Sequence, residues 1–223
     1  MHSAYLAPER EKIEERLQAN IGKDATRPKK MIVIGTQVLE QSLDIDFDVL
    51  FTDIAPMDLI IQRIGRLHRH KISRPIHLAK PTVYITGINS YGDYDEGNEF
   101  IYEKYLLMKT DHFLTDKINI PKDVSPLVQQ VYDPNVDKDI KDISDSKAKF
   151  EKDLKKSKKK ARVFQIGNPN KKGKNNLFGW LSDGQINVND DNHAAACVRD
   201  IKETIEVILL RTTSEGTFLM DGR

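Results

Sequence analysis

The chain has 223 residues, of which 39% are hydrophobic and 31% are charged, and its formal net charge is +1; this length suits one large domain or two small ones. A net charge so close to zero excludes a protein that binds nucleic acid through an overall basic surface, so any such site must be a local patch. The single cysteine, Cys197, excludes an intramolecular disulfide, and because neither a signal peptide nor an apolar run of roughly 20 residues is present, we expect a cytoplasmic protein in a reducing compartment.

The chain opens with a helical pattern. "PEREKIEERLQANIG" predicts a helix that begins at Pro8 and ends at Gly22, because proline suits the first helical position and glycine the position after the last. Ile13 and Leu17 lie one turn apart in it and are expected to face a core.

Three short apolar segments predict strands. Residues 31–35 and 48–55 are apolar enough to be buried on both faces of a parallel sheet, and residues 82–86 form a third strand. Between the first two strands we expect a loop with one helical turn. After Pro56, "MDLIIQRIGRLHR" predicts a helix whose inward residues are Leu59, Ile60, Ile64 and Leu67. This alternation indicates an α/β layer with a parallel sheet.

The pattern changes in the second half of the chain. Residues 88–98 predict a turn-rich loop, residues 99–114 an amphipathic helix, and residues 120–134 a short helix between prolines. Residues 137–162 are nearly all charged and would span about 37 Å as one helix. The few apolar residues of that segment form a thin stripe: Ile140, Ile143, Ala148, Phe150 and Leu154.

Two interpretations of this charged segment remain open: a solvated connector helix, or a nucleic-acid-binding tract at its end, "KKSKKKAR". Beyond it, "GNPNKKGKNN" predicts a flexible loop. "VRDIKETIEVILLRT" alternates at Ile205, Val207 and Leu209 and predicts a strand with one face covered.

Polar and charged residues follow the first two strands. Function in α/β sheets gathers at the carboxyl ends of strands, and these ends carry "GTQVLEQSLDID" and "IAP", followed by the arginine-rich "QRIGRLHRH". We therefore expect Thr36, Gln37, Asp44 and Arg66 to meet at one edge of the sheet. Threonine hydroxyls and arginine forks suit phosphate oxygens, and Asp44 suits a ribose hydroxyl or orients an arginine. The residues thus predict a phosphate-rich ligand, either nucleotide or nucleic acid.

These residues carry a family resemblance. The block "TQVLEQSLDIDFDVLFTDIAPMDLIIQRIGRLHRH" resembles motifs V and VI of superfamily 2 helicases and is most similar to the CRISPR-associated helicase–nuclease of type I systems. "MHSAYLAPEREKIEERL" resembles the motif IV region of that family. "INIPKDVSPLVQQVYD" and "AACVRDIKETIEVILL" resemble its linker and C-terminal domain, so the resemblance covers nearly the whole chain.

The resemblance implies a fold and a function. The fold is α/β: an incomplete RecA-like parallel-sheet lobe over residues 1–90, a helical linker over residues 91–162, and part of a small mixed α/β C-terminal domain over residues 163–223. The function is that of an ATP-dependent helicase that translocates on single-stranded DNA and, with a nuclease domain elsewhere in the parent protein, unwinds and degrades foreign DNA in CRISPR immunity.

The resemblance also implies site residues. The backbone of Gly35 and the side chain of Thr36 would hold the sugar–phosphate track of single-stranded DNA, with His2, Ser3 and Gln37 beside them.

On the nucleotide side, Asp44 would face the nucleotide, and Gln62 and Arg66 would approach the γ-phosphate of ATP, with Arg69 beside them, as arginine fingers do. Arg63 would bind on the cofactor side by bracing the metal-holding loop of the other lobe, or else form a structural ion pair.

Several motifs of a complete enzyme are not found in the sequence. It has no G-x-x-x-x-G-K-[ST] loop, no Asp-Glu-x-His box for Mg²⁺ and no His-Asp nuclease site. We read His68 and His70 as surface residues and expect no metal site. ATP and Mg²⁺ are therefore expected as cofactors of the parent, with none tightly bound to this chain, which we expect to be an inactive fragment beginning within motif IV.

Three hypotheses remain. The chain is a motor lobe that works with single-stranded DNA, the first RecA-like lobe and the nuclease domain. Alternatively it is a docking module for an RNA-guided surveillance complex, or part of another superfamily 2 helicase. No membrane partner is expected.

Overall fold

The structure is a computed structural model, and it describes residues 7–40, 43–162, 210–213 and 216–219. The chain divides into two compact units, residues 1–147 and 148–223. The mixed α/β architecture predicted from the sequence is confirmed, with a small parallel sheet and packed helices.

The first helix matches its prediction. Helix α1 spans Ala7–Ile21, and its last turns pack on the loop that precedes the first strand. Leu17, Ile21, Leu43 and Ile45 are all buried and form one apolar cluster. The loop between the predicted strands contains a 3₁₀ turn, Gln37–Glu40, where one helical turn was expected.

The strand predicted at residues 31–35 is wrong, because no strand is assigned there. Met31 and Val33 pack against the α1 cluster, whereas Ile32 and Ile34 are 76% and 82% exposed. A strand buried on both faces needs cover on both, and in the described part of the chain this segment has cover on one side and no paired strand.

Two of the predicted strands form the parallel sheet. Strand β1 spans Val49–Asp53 and strand β2 spans Thr82–Thr86, with Phe51 opposite Tyr84 in a parallel register. The rings of that pair stack with their centroids 4.6 Å apart. Phe51 is 70% exposed and Tyr84 is 49% exposed, so the aromatic side of this two-stranded sheet is uncovered.

The helix between the two strands is shorter than predicted. Helix α2 spans Met57–Ile64 and is followed by Gly65. Its buried residues are Met57, Ile60 and Ile61. Of the residues predicted to face inward only Ile60 is fully buried; Leu59, Ile64 and Leu67 are half-buried.

The segment after β2 is more ordered than predicted. Strands β3 (Ile88–Ser90) and β4 (Asp93–Tyr94) form an antiparallel hairpin where we expected a loop. The single helix expected over residues 99–114 is two helices, α3 (Glu96–Ile101) and α4 (Lys104–Phe113). The break falls at Tyr102, whose backbone is extended (φ −116°, ψ 137°).

Three helical elements complete this unit and lead out of it. Helix α5 spans Val124–Tyr132, as predicted between prolines, and a 3₁₀ turn spans Pro134–Asp139. Helix α6 spans Ser144–Arg162, so the helix predicted from residue 137 begins seven residues later. Two residues of its supposed apolar stripe precede the helix and are buried: Ile140 and Ile143.

A second apolar cluster joins the sheet region to the helical region. It contains Met57 and Ile61 from α2 and Leu127 and Val131 from α5, all of them buried. Helix α5 therefore packs directly on the helix that precedes the arginine-rich stretch.

A buried ion pair holds the helical region together. Lys109 on α4 is fully buried, and its Nζ lies 2.8 Å from Asp137 Oδ1 and 2.6 Å from the Asp133 carbonyl oxygen. The Tyr105 hydroxyl donates to Asp137, and Lys147 Nζ lies 2.6 Å from its Oδ2. Asp137, predicted to be part of a solvated helix, is a core residue.

Two strands near the end of the chain are described, β5 (Leu210–Thr213) and β6 (Gly216–Leu219), which form an antiparallel hairpin. The loop predicted at residues 167–176, Cys197, and most of the strand predicted to carry Ile205, Val207 and Leu209 lie outside the described residues. Among the described helices, none combines the length and apolar character that crossing a membrane requires.

Candidate functional site

The arginine-rich stretch forms a turn rather than a continuation of the helix. Gly65 caps α2 with its N–H bonded to the Ile61 carbonyl, 2.9 Å away. Residues 65–70, called the arginine turn below, then fold back, with His68 at a φ of +50°. The helix predicted over "MDLIIQRIGRLHR" therefore ends earlier than expected, and of its three arginines only Arg63 lies within α2.

The segment Asp44–Asp48 lies beside the arginine turn and holds it through the backbone. The Phe47 N–H donates to the Arg66 carbonyl (2.8 Å), and the His68 N–H donates to the Phe47 carbonyl (3.0 Å). On its other side the Asp46 N–H donates to the Ile21 carbonyl at the end of α1 (2.9 Å). The turn is thereby tied to the first helix through one extended segment.

The side chain of Asp46 completes this attachment. It is 1% exposed, and its carboxylate accepts hydrogen bonds from the backbone N–H groups of Arg69 (3.0 Å) and His70 (3.3 Å). The Arg74 guanidinium binds the same carboxylate. A buried carboxylate is tolerated only when it is paired and hydrogen-bonded, and Asp46 satisfies both conditions without a ligand.

Two arginines and a second carboxylate extend the network. Arg27 Nη1 and Arg74 Nε lie 3.0 and 2.8 Å from Asp48 Oδ1, and Arg27 Nη2 donates to the Asp46 carbonyl (2.6 Å). This network was not predicted from the sequence. The alternation in "DIDFD" was its one local signal, because the arginines are distant in sequence.

Arg66 is directed into its own chain. Its Nη1 donates to the Leu43 carbonyl (2.6 Å) and its Nη2 to the Glu40 carbonyl (3.1 Å). Its Nε is buried and has no hydrogen-bond partner among the described residues. Burial lowers the pKa of Arg66, and the nearby charge of Arg69 acts in the same direction.

Arg69 of the arginine turn forms an exposed ion pair with Asp44, which lies beside the turn. Arg69 Nε lies 2.7 Å from Asp44 Oδ1, and the two side chains are 42% and 48% exposed. His70 Nε2 is 3.1 Å from the same oxygen but lacks hydrogen-bond geometry. Because Arg69 and Asp44 both reach solvent, an incoming anion or hydroxyl group has access to them.

Arg63 is committed to contacts within the chain. Its Nε donates to Glu40 (2.7 Å), its Nη1 to the Thr52 hydroxyl (2.8 Å) and the Asp53 carbonyl (3.0 Å), and its Nη2 to the Tyr102 hydroxyl (2.9 Å). These bonds join the 3₁₀ turn, β1 and the residue after α3. They fit the structural ion pair that the sequence left open as an alternative.

The remaining predicted residues lie around the same loop. Gln62 is exposed at the end of α2, and Gly35 and Thr36 are exposed just before the 3₁₀ turn. The Thr36 carbonyl accepts the Leu39 N–H that begins that turn. Gln37 opens the turn, but its side chain is not described, and His2 and Ser3 lie outside the described residues.

The loop expected to meet the arginines does so in part. Arg66 contacts the loop at the Glu40 and Leu43 carbonyls, and Arg69 contacts it at Asp44, whereas no hydrogen bond or ion pair of the described side chains joins Thr36 to Arg66. Among the residues that the structure describes, no group of three histidine, cysteine or acidic side chains is placed to hold a metal ion.

Comparisons with known proteins converge on one family. The family model of the C-terminal region of "CRISPR-associated nuclease/helicase Cas3" matches residues 1–72. A nuclease/helicase Cas3 from Streptococcus thermophilus is 48% identical over 227 residues, which are 97% of this chain and 24% of that protein. An endonuclease/helicase Cas3 from Escherichia coli K12 is 29% identical over 100% of this chain and 24% of that protein. The chain therefore spans about a quarter of the length of these relatives.

Solved structures agree. A crystal structure of T. fusca Cas3 with ATP matches with a TM-score of 0.62 and 30% identity, covering 69% of this chain and 18% of that one. A chain in a CRISPR RNA-guided surveillance complex, described as pre-nicking, matches with a TM-score of 0.66 and 28% identity, covering 80% of this chain and 22% of that one.

Proposed function

The chain belongs to the CRISPR-associated Cas3 nuclease/helicases, and from that premise we propose that it is the C-terminal part of an ATP-dependent helicase. In the complete protein, which includes a nuclease domain, it translocates on single-stranded DNA and helps to unwind and degrade foreign DNA in type I CRISPR immunity. We place the second RecA-like lobe at residues 1–90, a linker at 91–162 and a C-terminal domain at 163–223. The setting is cytoplasmic.

One observation carries the proposal: a buried network fixes the backbone of the arginine turn while leaving Arg69 and Asp44 at the surface. Electrostatic stabilisation of a developing charge is effective when the donors are already held in place. The backbone of the arginine turn, held by Asp46 and Phe47, meets that condition, and Arg69 already reaches solvent, whereas Arg66 would have to leave the Leu43 and Glu40 carbonyls to meet an anion.

The residues present fit a nucleoside triphosphate. Arg66 Nε is a buried donor without an acceptor among the described residues, and a buried unsatisfied donor is costly, so an incoming phosphate oxygen would relieve that cost. ATP, bound with Mg²⁺, supplies the phosphoanhydride bond whose cleavage drives the motor. Arg66 and Arg69 would neutralise the negative charge of the γ-phosphate, and the side chain of Gln62 would approach the same phosphate. Asp44 would face the nucleotide and hold Arg69 in place. Arg63 would support the cofactor side of the site through its hydrogen bonds to Glu40, Thr52 and Tyr102.

The nucleic-acid side is proposed to lie at the amino end of the same loop. Gly35 and Thr36 are exposed there and offer backbone N–H and hydroxyl donors to phosphate oxygens. Gln37, His2 and Ser3 would extend this track. Thr36 begins the loop whose Glu40 carbonyl accepts a hydrogen bond from Arg66. Movement of Arg66 when ATP is bound or hydrolysed would therefore shift this loop and, through it, the DNA contact at Thr36.

A chimera tests the proposal. The chain would replace the matching region of the Streptococcus thermophilus relative, which is 48% identical to it, and ATP hydrolysis would be measured with single-stranded DNA. Arg66→Lys keeps the charge but loses the planar fork, and an arginine finger is worth on the order of 10³-fold in rate. We expect a fall of about that size in turnover, with DNA binding retained. Arg10→Lys, an exposed arginine on α1, is the matched control.

The readings of this experiment are distinct. Near-normal turnover in Arg66→Lys with an unchanged melting temperature would assign the finger to Arg69, to be confirmed with Arg69→Lys. Normal turnover in both variants would contradict the proposal. A fall in melting temperature together with turnover would show that Arg66 acts through its bonds to Leu43 and Glu40.

A docking role is the second candidate. It is favoured by the likeness to a chain of an RNA-guided surveillance complex. If the chimera binds such a complex but neither arginine variant alters ATP hydrolysis, the docking role would replace the motor role.

A further inference from the structure

The two halves of helix α6 differ sharply in charge. The first half, residues 144–153, holds three acidic and three basic side chains, so its charge is balanced. The second half, residues 154–162, holds no acidic residue and six basic ones: Lys155, Lys156, Lys158, Lys159, Lys160 and Arg162. All six are exposed. None of these six residues takes part in the site proposed at the arginine turn.

Four of these side chains share one face. Lys155, Lys158, Lys159 and Arg162 are spaced i, i+3, i+4 and i+7, which places them on one side of an α-helix over about 11 Å. We call this set the basic face. A helical backbone therefore arranges the charges as a short row rather than scattering them around the helix.

The basic face is not compensated within the part of the chain that the structure describes. None of its four side chains forms an ion pair with a described residue, whereas Lys147, in the first half of α6, pairs with Asp137. Like charges at i, i+4 destabilise a helix. The helix dipole favours cations only within the last turn, so it does not account for Lys155. The uncompensated charge fits an anionic partner beyond the residues that the structure describes.

We infer that the basic face of α6 binds the sugar–phosphate backbone of single-stranded DNA, and in the choice of a single DNA strand this inference rests on the proposed function. A phosphate backbone is recognised by repeated positive charge alone, without regard to base sequence. A membrane-surface helix needs bulky apolar side chains opposite its charges, and this half has only Leu154 and Ala161. A protein partner would be held by aromatic or other well-packed anchors, and this half has none.

The contact does not rest on the nucleotide role of the arginine turn. It adds a second DNA-binding segment to the track proposed at Gly35 and Thr36, and it acts without ATP. The two proposals therefore fail separately: the arginine variants of the chimera change ATP turnover, and the variants below change DNA binding.

Fluorescence anisotropy with the complete chain tests the inference. A labelled single-stranded oligonucleotide of mixed sequence would be titrated between about 50 and 200 mM salt. The test variant replaces the four residues of the basic face with Gln. The control variant replaces four exposed lysines of the other unit with Gln and so changes the net charge equally: Lys12, Lys117, Lys122 and Lys138.

Each neutralised phosphate of a single strand contributes about −0.7 to the slope of log affinity against log salt. Loss of four contacts should therefore make the slope shallower by about 3, while the control variant keeps the slope of the unmodified chain. Circular dichroism checks that the test variant keeps its helix, and Lys155→Arg with Lys159→Arg keeps the charge and should keep the slope.

Three results would overturn the inference. The first is no binding by the unmodified chain at the lower salt concentration. The second is an equal loss in the test and control variants, which would assign the effect to overall charge. The third is stronger binding to anionic phospholipid vesicles than to DNA, which would make α6 a membrane-surface helix.

Discussion

The carboxylate of Asp46 accepts a hydrogen bond from the backbone N–H of Arg69, with 3.0 Å between the two atoms. Two residues earlier, the carboxylate of Asp44 binds the side chain of the same arginine. The buried Asp46 thus fixes the position of the Arg69 backbone, and the exposed Asp44 fixes the orientation of its guanidinium group. Alternation along "DID" gives both aspartates the same side of the extended segment, toward Arg69, and turns Ile45 to the apolar cluster of α1, because residues i and i+2 of an extended segment face the same way.

Replacing Asp46 and replacing Asp44 should therefore have different costs. Asp46→Ala removes a partner of the nearly buried Arg74 and leaves two backbone N–H groups unpaired, so we expect a loss of about 3 kcal/mol in the free energy of unfolding. Asp44→Ala breaks an exposed pair and should cost at most about 1 kcal/mol. Urea unfolding measures both, and equal losses would contradict the assigned difference.

Arg63→Lys should destabilise the fold because lysine cannot serve four acceptors at once. The bonds to Glu40, Thr52, Asp53 and Tyr102 need a planar fork, and the expected loss is about 2 kcal/mol in the free energy of unfolding. The Arg10→Lys control, at an exposed i,i+4 pair, should change it little. Unchanged thermal unfolding of Arg63→Lys would leave the structural ion pair without support.

Acid should weaken the helical region through Asp137. Burial alone would raise its pKa, but hydrogen bonds from Lys109, Lys147 and Tyr105 outweigh burial, so the pKa of Asp137 lies below its usual value of 3.8. A carboxyl group with a depressed folded pKa contributes stability that is complete above the unfolded pKa and is lost as pH falls through the folded one.

We therefore expect stability to fall with acid below about pH 4, and this part of the fall to be absent in Asp137→Asn. The variant should already be weaker at neutral pH by about 3 kcal/mol, because the buried Lys109 loses its carboxylate partner. Thermal unfolding across the acid range provides the measurement, with the exposed Asp139→Asn as control. An identical pH dependence in the variant and the unmodified chain would contradict the assignment.

The chain alone should hydrolyse no ATP at a measurable rate. Its sequence holds no phosphate-binding loop and no metal carboxylate box, so Arg66 and Arg69 have no aligned γ-phosphate on which to act. A steady-state assay with single-stranded DNA checks this. Turnover that follows the purified chain and disappears in Arg66→Ala would refute it.

The elements that the sequence predicted correctly are those whose evidence is local. Strands β1 and β2 and helices α1 and α5 have the expected periodicity and boundaries close to those predicted. The error at residues 31–35 has a physical cause, since an apolar run cannot reveal whether both of its faces are covered. The helix after Pro56 was extended too far because its apolar spacing continues to Leu67, whereas Gly65 ends it.

The features that sequence reasoning missed depend on contacts between distant residues. Asp137 and Lys109 are 28 positions apart, and each alone has the pattern of a surface residue. Arg74 and Asp46 are also 28 positions apart. The predicted site residues lay in the right loops, but whether a guanidinium points outward, as in Arg69, or into carbonyl oxygens, as in Arg66, is decided by packing.

The stacked rings of Phe51 and Tyr84 have a practical consequence at the bench. Strands of a parallel sheet normally have both faces covered, and these two rings stand on a face that is open in the described structure. Exposed apolar patches associate with one another, so the chain should aggregate at high concentration and should be retained on hydrophobic resins. Phe51→Ser combined with Tyr84→Thr should reduce that retention, and such a pair of substitutions would make the chain easier to purify, store and crystallise.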